Sequence, residues 1–424
     1  MTRLLGAAGL LTLAGSALGV GTQIVLARTA GSEAYGVYSY VLAWLLLLAV
    51  AGRMGFDVAA LRLLPAYRTR GEWGRLYGFL RTSASVTLLA SLGVSATMAA
   101  VGWILRSRLQ PGVFEAFVIG AVILPILVQL LLAQAAARGL GQIAESVASE
   151  ALLRPALLLV GVMVAARLTS VSGAVLIGLH GAAALAVLIV LVAVRRREFR
   201  QRPLARPETN QKREWLALAW PLLMMAAFHS LNARADILMV GSMLGTRLAG
   251  IYSAAYRVGF LAMWGLTIVN LVLPPLISRL TEEKRRADLQ LVLRRAAAFI
   301  AAVTFPVTAA LILLGPRILN LFGSEFGLGH PAMLLLILAN AVNAMTGSVG
   351  FLLVMTGNHR VAAISIVLTG IVNIILNLLL IPRFGLTGAA LATLVTTVIW
   401  NLSLYAIVRR RLGLDPSVLA LVNR

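Results

Sequence analysis

The chain has 424 residues, of which 60% are hydrophobic and only 12% charged, and its mean hydropathy is +0.92. A soluble domain carries roughly 25% charged residues, so this composition excludes water as the main solvent and points to a bilayer. The formal net charge of +22 does not indicate a nucleic-acid partner. The basic residues fall in short blocks between apolar runs, as topology signals do, and are not spread over one face. With no cysteine there is no disulfide framework and no thiolate metal site. His180, His229, His330 and His359 show no metal-ligating spacing, and no cofactor is expected.

The N-terminus reads Met1-Thr2-Arg3 followed by an apolar run to about Ala27. That run is long enough to span, and no clear cleavage site follows it, so it is expected to be an uncleaved first helix. A spanning helix needs about 20 mostly apolar residues. Such segments are predicted near 4–27, 36–57, 77–105, 114–137, 147–168, 171–194, 216–241, 250–274, 291–314, 331–356, 361–381 and 386–408. The second is expected to run on to about Leu64 and to stop at Pro65, which cannot continue a helical hydrogen-bond ladder. The fold class is therefore an all-α membrane protein of about twelve transmembrane helices.

Arginine and lysine alternate in density along the connections. The blocks at Arg68, Arg70 and Arg75, at Arg195 to Arg213, at Arg279 to Arg286, and at Arg409 to Arg411 would lie on one side. The positive-inside tendency makes that side cytoplasmic, with both termini inside and an even helix count. The longest polar stretch, Arg195 to Glu214, is basic, contains Pro203 and Pro207, and reads as a solvated linker. The expected organisation is an N-terminal six-helix bundle over 1–194, a basic cytoplasmic linker over 195–214, a C-terminal six-helix bundle over 215–408, and a cytoplasmic tail over 409–424.

The halves repeat. Gly31, Gly36, Tyr38 and Ser39 recur at one constant spacing as Gly245, Gly250, Tyr252 and Ser253. Arg81 and Arg295 share that spacing, and Gly141 and Gly357 nearly do. Six helices per half give both copies the same orientation, which is a parallel repeat. Such repeats mark transporters with the substrate path between the halves, here two six-helix bundles around a central cavity.

Charges inside apolar helices are informative because each costs a few kcal/mol unless it faces a partner or water. The sequence places Arg53 and Asp57 on the second helix, Glu150 and Arg154 on the fifth, Arg234 and Asp236 on the seventh, and Arg257 on the eighth; Arg28 ends the first. Arg53–Asp57 and Glu150–Arg154 are four apart, so each can form an ion pair or line a hydrated cavity. His229, Asn232 and Asp236 form one stripe that could bind a cation, relay a proton or hydrogen-bond a sugar, with Arg234 directed elsewhere. Asp57, Glu150, His229, Asn232 and Asp236 are the ion-coupling candidates. Ser253, Arg257 and Trp264 share a face, and Arg257 has no acidic residue one turn away. It is the leading ligand-facing charge, and pairing across helices with Asp236 is the alternative. Asn340/Asn343 and Asn373/Asn377 read as packing contacts.

These groups contain more arginine than acid, which suits an anionic substrate, because the guanidinium fork donates two parallel hydrogen bonds to phosphate. Tyr38, Tyr252, Tyr256 and Trp264 offer rings for sugar faces. The substrate-binding candidates are thus Arg257, Arg53, Arg28, Trp264, Ser253 and Arg234. No phosphate-binding loop and no paired external carboxylates occur, so no enzymatic activity is expected.

These residues resemble a known family. Leu26-Ala27-Arg28, Gly31 and Tyr35-Gly36-Val37-Tyr38 are similar to the first-helix signature of bacterial polysaccharide-export flippases. Ala235 to Gly241 and Ala249 to Arg257 resemble their seventh- and eighth-helix signature. Thr356-Gly357-Asn358, Asn373, Asn377 and Ile381 to Ala390 resemble the C-terminal part. The resemblance spans nearly the whole chain. It implies the multidrug/oligosaccharidyl-lipid/polysaccharide transporter superfamily, two six-helix bundles working by alternating access, and an undecaprenyl-diphosphate-linked oligosaccharide as cargo. The partners implied are that lipid-linked substrate, membrane lipids, and the polysaccharide polymerase and glycosyltransferases. Lipid II flippases usually carry two further C-terminal helices that this chain lacks, which favours an O-antigen, capsule or exopolysaccharide unit. The alternatives are a multidrug extruder, which usually carries acidic cation sites, and a non-transporting scaffold.

Overall fold

The computed structural model describes residues 2–199, 206–208 and 210–421, without the side chains of 2–13, Glu198 and His359. Of the predicted linker, 200–205 and Thr209 lie outside the described residues, as do 422–424 of the predicted tail. Ten helices are long and apolar enough to cross a membrane. Two of them, Ala14–Arg53 of 40 residues and Arg360–Leu412 of 53, each turn at an internal glycine, Gly31 and Gly385. Each therefore holds two crossings, which restores the expected twelve. The chain folds as two compact units, residues 1–234 and 235–424.

In the first unit, α1 (Thr2–Arg53) is two helical limbs that meet at Gly31, as the sequence suggested, but with a single residue between them in place of a longer loop. Gly31 holds φ 77° and ψ 171°, a combination only glycine adopts readily. One residue thus makes the turn that a loop would otherwise make. Gly245, its repeat partner, holds φ 99° and ψ 159°. The sequence repeat is therefore also a repeat of backbone geometry.

The second predicted helix is corrected by the structure. It breaks at Met54 and Gly55, both with positive φ, and resumes as α2 (Phe56–Arg70). Proline 65 does not stop it. The carbonyl that Pro65 leaves unpaired belongs to Leu61, whose side chain is 44% exposed, so the lost bond falls on the outer face. Helices α3 (Trp73–Ile104) and α4 (Val113–Gly139) follow. Next come α5 (Ile143–Ala148), a π-helical turn over Ser149–Leu153, α6 (Arg154–Leu168) and α7 (Gly173–Phe199).

The linker does not simply float in solvent where it is described. Glu208 donates its N–H to the Gly74 carbonyl at 2.9 Å, and its own carbonyl lies where a Cβ on Gly78 would stand. Helix α8 (Lys212–Leu244) then starts with Trp215, which is 2% exposed, donates to Tyr67 Oη at 3.0 Å and stacks edge-on against Phe79. This burial ties the first turns of α8 into the first unit. The unit boundary accordingly falls within α8, between Arg234 and Ala235.

The second unit continues with α9 (Thr246–Phe260), a 3₁₀ turn over Leu261–Met263 and α10 (Trp264–Glu282). It is completed by α11 (Arg286–Phe322), α12 (His330–Thr346), α13 (Val349–Met355) and α14 (His359–Leu412). After Gly413 the chain folds back. Gln290 of α11 brackets Asp415, accepting its N–H at 2.8 Å and donating to its carbonyl at 2.9 Å. Leu414, Asp415 and Ala420 are buried.

Candidate functional site

Each unit encloses a buried polar cluster, and both are built around a repeated tyrosine. In the second unit, Asp236 of α8 is 8% exposed and receives three neutral donors. Tyr252 Oη of α9 reaches Asp236 Oδ2 at 3.0 Å, Asn377 Nδ2 of α14 reaches Oδ1 at 2.8 Å, and Thr393 Oγ1 of α14 also bonds to Oδ2. Asn377 Nδ2 additionally faces Asn373 Oδ1 and the Asn373 carbonyl, each at 3.0 Å. Asn373 contacts Thr396 Oγ1 at 3.4 Å. Asn377 is fully buried, and its Oδ1 has no hydrogen-bond partner among the described residues. The arrangement is a carboxylate held by two hydroxyls and an amide, with no salt-bridging base among the described residues.

Such a buried acid is costly unless every lone pair is satisfied. Here hydroxyl and amide donors from Tyr252, Thr393 and Asn377 supply the hydrogen bonds. Oxygen-rich sites of this kind suit hard cations.

In the first unit, Tyr38 is the repeat counterpart of Tyr252. Its hydroxyl bonds to His180 Nδ1 of α7 at 3.1 Å, and the neighbouring Tyr35 donates to Gln23 Oε1 at 3.1 Å. All four side chains are buried. The repeat thus preserves the tyrosine and changes its partner, from a carboxylate in one unit to an imidazole in the other.

Several sequence expectations change here. Tyr38 and Tyr252 are both 0% exposed with engaged hydroxyls, so they hold polar clusters and do not offer faces to sugars. Asn373 and Asn377 are not mere packing residues: they are partners of Asp236. Asn340 does bond to its own helix, at Leu336 O, and Asn343 faces Met263 Sδ. The stripe on α8 grades from His229, exposed, through Asn232, half-buried, to Asp236, which is buried in this cluster. Arg234, two residues before Asp236, is half-buried in the first unit.

Arg53 and Asp57 do pair, at 2.5 Å, but across the left-handed break at Met54–Gly55 and not along one helix. Glu150 does not pair with Arg154. Its partner is Arg138 Nη1 at 3.6 Å, because the π-helical turn that starts at Ser149 alters the i,i+4 register.

Arg257 on α9 is half-buried, and its Nε is enclosed without a hydrogen-bond partner among the described residues. No ion pair between Arg257 and Asp236 is seen among the described residues, where the donors to Asp236 are Tyr252, Asn377 and Thr393. Ser253, one turn away, is 2% exposed and packs inside the unit. Trp264 does not keep the strict face expected for it. The 3₁₀ turn at Leu261–Met263 advances about 120° per residue against about 100° in an α-helix, which rotates Trp264 by roughly 60°. Arg28 is exposed at the end of the first limb of α1, three residues before the Gly31 turn.

The chain is a helical membrane protein of two units, each with a buried polar cluster. The chain belongs to the polysaccharide biosynthesis protein family, within the multidrug/oligosaccharidyl-lipid/polysaccharide transporter superfamily: that family matches residues 5–281, and the lipid II flippase MurJ family matches 144–423. A relative, the probable flippase AglR of Haloferax volcanii, is 29% identical over 168 residues, 38% of this chain and 34% of that protein. The chain thus spans about a third of the length of the curated relatives it matches. Among solved structures, an inward-facing multidrug resistance MATE family transporter superposes with a TM-score of 0.74 at 14% identity, covering 94% of both chains. Lipid II flippase MurJ in an inward closed conformation gives 0.74 at 15% identity, covering 96% of this chain and 87% of that one. These two likenesses concern the fold.

Proposed function

We propose that the protein flips lipid-linked glycans across the cytoplasmic membrane by alternating access. The proposed cargo is an undecaprenyl-diphosphate-linked oligosaccharide, the repeat unit of an O-antigen, capsule or exopolysaccharide. Both termini are placed on the cytoplasmic side, where the polymerase's precursors and the glycosyltransferases that build them would be met. Since the fold is shared with multidrug exporters, the choice of cargo rests on the in-membrane charges and the family.

The observation that carries this reading is Arg257. A guanidinium inside a membrane span, enclosed at Nε and without an acidic partner among the described residues, is an unbalanced cost that an anionic ligand would offset. It is assigned to the diphosphate. Arg53, already neutralised by Asp57, is a secondary ligand, with Arg28 and Arg234 adding positive potential. Asp236 is assigned to cation coupling, in preference to Asp57, which Arg53 occupies, and to Glu150, which Arg138 faces.

The test is deletion and complementation. Loss of the protein should remove a surface polysaccharide and leave a diphosphate-linked glycan in the inner leaflet. An unchanged surface glycan, with no redundant flippase, would refute the cargo. Sensitivity to cationic drugs alone would favour an extruder. Orientation is tested by single cysteines at Ser107 and Thr209, since the chain has no native thiol. An impermeant maleimide should label the first on intact cells and spare the second; the reverse would overturn the orientation.

A further inference from the structure

The first unit contains a cavity of about 180 Å³ between α3, α4 and α7. Its walls follow one stripe on each helix. On α7 these are Leu188, Val192 and Arg195; on α4, Gln129, Leu132 and Ala133; on α3, Leu80 and Ala84. Spacings of three, four and seven residues put such groups on one helix face. The α7 stripe descends about 10 Å from Arg195 toward the helix centre, at 1.5 Å per residue.

The polar groups in the walls are already engaged. Gln129 Nε2 donates to Ala84 O at 3.2 Å and to Thr87 Oγ1 at 3.1 Å, and Ser83 Oγ donates to Leu80 O at 3.1 Å. What remains is an apolar space, and apolar cavities stay dry and take up hydrocarbon. At its rim stands Arg195, half-buried, with no acidic residue pairing with it among the described ones. The next two residues, Arg196 and Arg197, are exposed. The sequence placed Arg195 in a solvated loop, whereas the structure keeps it on α7, with its stem along the cavity, as arginines do at a bilayer surface.

We infer that this cavity is a binding site for an anionic phospholipid, with the first part of one acyl chain lying between α3, α4 and α7 and the phosphate held by Arg195. The chemistry requires both parts. A dry apolar slot selects an alkyl chain, and a guanidinium with no acidic partner among the described residues, at the end of a membrane-crossing helix, selects phosphate through its paired donors. The site lies wholly within the first unit, and the inference needs neither the proposed cargo nor the proposed orientation.

Native mass spectrometry of the purified full-length protein tests it, with phosphatidylglycerol, phosphatidylcholine and inorganic phosphate as probes. Phosphatidylglycerol should be retained on the unaltered protein at least fivefold better than phosphatidylcholine, and millimolar inorganic phosphate should not displace it. Arg195→Gln should lower retention at least fivefold, with Arg195→Lys intermediate. Ala133→Phe, which fills the slot, should lower it with the charge intact. Arg196→Gln, on the exposed neighbour, should leave it unchanged. Should Ala133→Phe fail to fold, the comparison of Arg195→Gln with Arg196→Gln decides. Equal retention by Arg195→Gln, equal retention of phosphatidylcholine, or displacement by inorganic phosphate would each overturn the inference, the last by showing a free-anion site.

Discussion

Asn377 donates to Asp236 at 2.8 Å across 141 residues of chain, and both side chains are buried in the second unit. This bond ties α14 to α8 through a carboxylate whose other donors are the hydroxyls of Tyr252 and Thr393. A cation entering here would exchange these donors for oxygen ligands already in place, including the unpartnered Asn377 Oδ1.

If Asp236 is the coupling group, adding a permeant coupling cation such as sodium, or lowering pH, should raise the melting temperature of the purified protein. Asp236→Asn should abolish that rise. It should not lower the basal melting temperature by much, because replacing a buried carboxylate by a neutral isostere removes a desolvation cost of several kcal/mol while the Asn377 contact is only partly lost. A cation-dependent rise that survives Asp236→Asn would move the coupling site elsewhere.

The turn at Gly31 gives a separate expectation. Because Gly31 and Gly245 hold conformations that only glycine adopts readily, Gly31→Ala and Gly245→Ala should each destabilise by roughly 1–3 kcal/mol. No neighbouring atom crowds either Gly31 or Gly19, and Gly19 lies inside the helix, so Gly19→Ala is the control and should be neutral or slightly stabilising. Thermal melting in detergent reads all three. Equal melting of Gly31→Ala and Gly19→Ala would contradict the strained turn.

The folded-back chain after Gly413 rests on the two-way bond between Gln290 and Asp415, reinforced by Arg409 at 3.1 Å and Ser417 at 2.7 Å. The Pro416 carbonyl also lies where a Cβ on Gly347 would stand, at the break between α12 and α13. Gln290→Ala removes two partly buried hydrogen bonds, worth about 1 kcal/mol each. It should increase hydrogen exchange and proteolysis over 413–421 by about thirtyfold while the transmembrane helices stay protected. Unchanged protection would show that the apolar contacts of Leu414 and Ala420 suffice.

The twelve crossings were legible because hydropathy over about 20 residues depends on no tertiary contact. The repeat was legible because Gly31 and Gly245 must be glycine for their backbone to form. Connections were less legible. A single glycine made the turn at Gly31 where a loop was expected, and Pro65 was tolerated because its orphaned carbonyl sits under exposed Leu61. The Glu150–Arg154 pair failed because the rule of four assumes an unbroken α-helix, and a π turn intervenes. Of the candidate site, Asp236 and Arg257 were recognisable as charges inside apolar helices. The partners of Asp236 were not, since Asn377 and Thr393 lie on a distant helix that local periodicity cannot pair with α8. The only local signal was two asparagines four apart in an apolar run, which mere packing explained equally well. The cavity beside Arg195 was likewise hidden, because three stripes on three helices form it together.

The central claim is translocation of a diphosphate-linked glycan through a path that uses Arg257. It is tested most directly with purified protein in liposomes carrying a fluorescent polyprenyl-diphosphate oligosaccharide, by following the fraction of label accessible to an impermeant quencher. The unaltered protein should carry label between leaflets well above the protein-free rate. Arg257→Ala should fall at least tenfold toward that rate with normal folding, and Arg257→Lys should recover little, because an ammonium lacks the paired donors. Translocation no faster than in protein-free liposomes, or an undiminished rate with Arg257→Ala, would contradict the account.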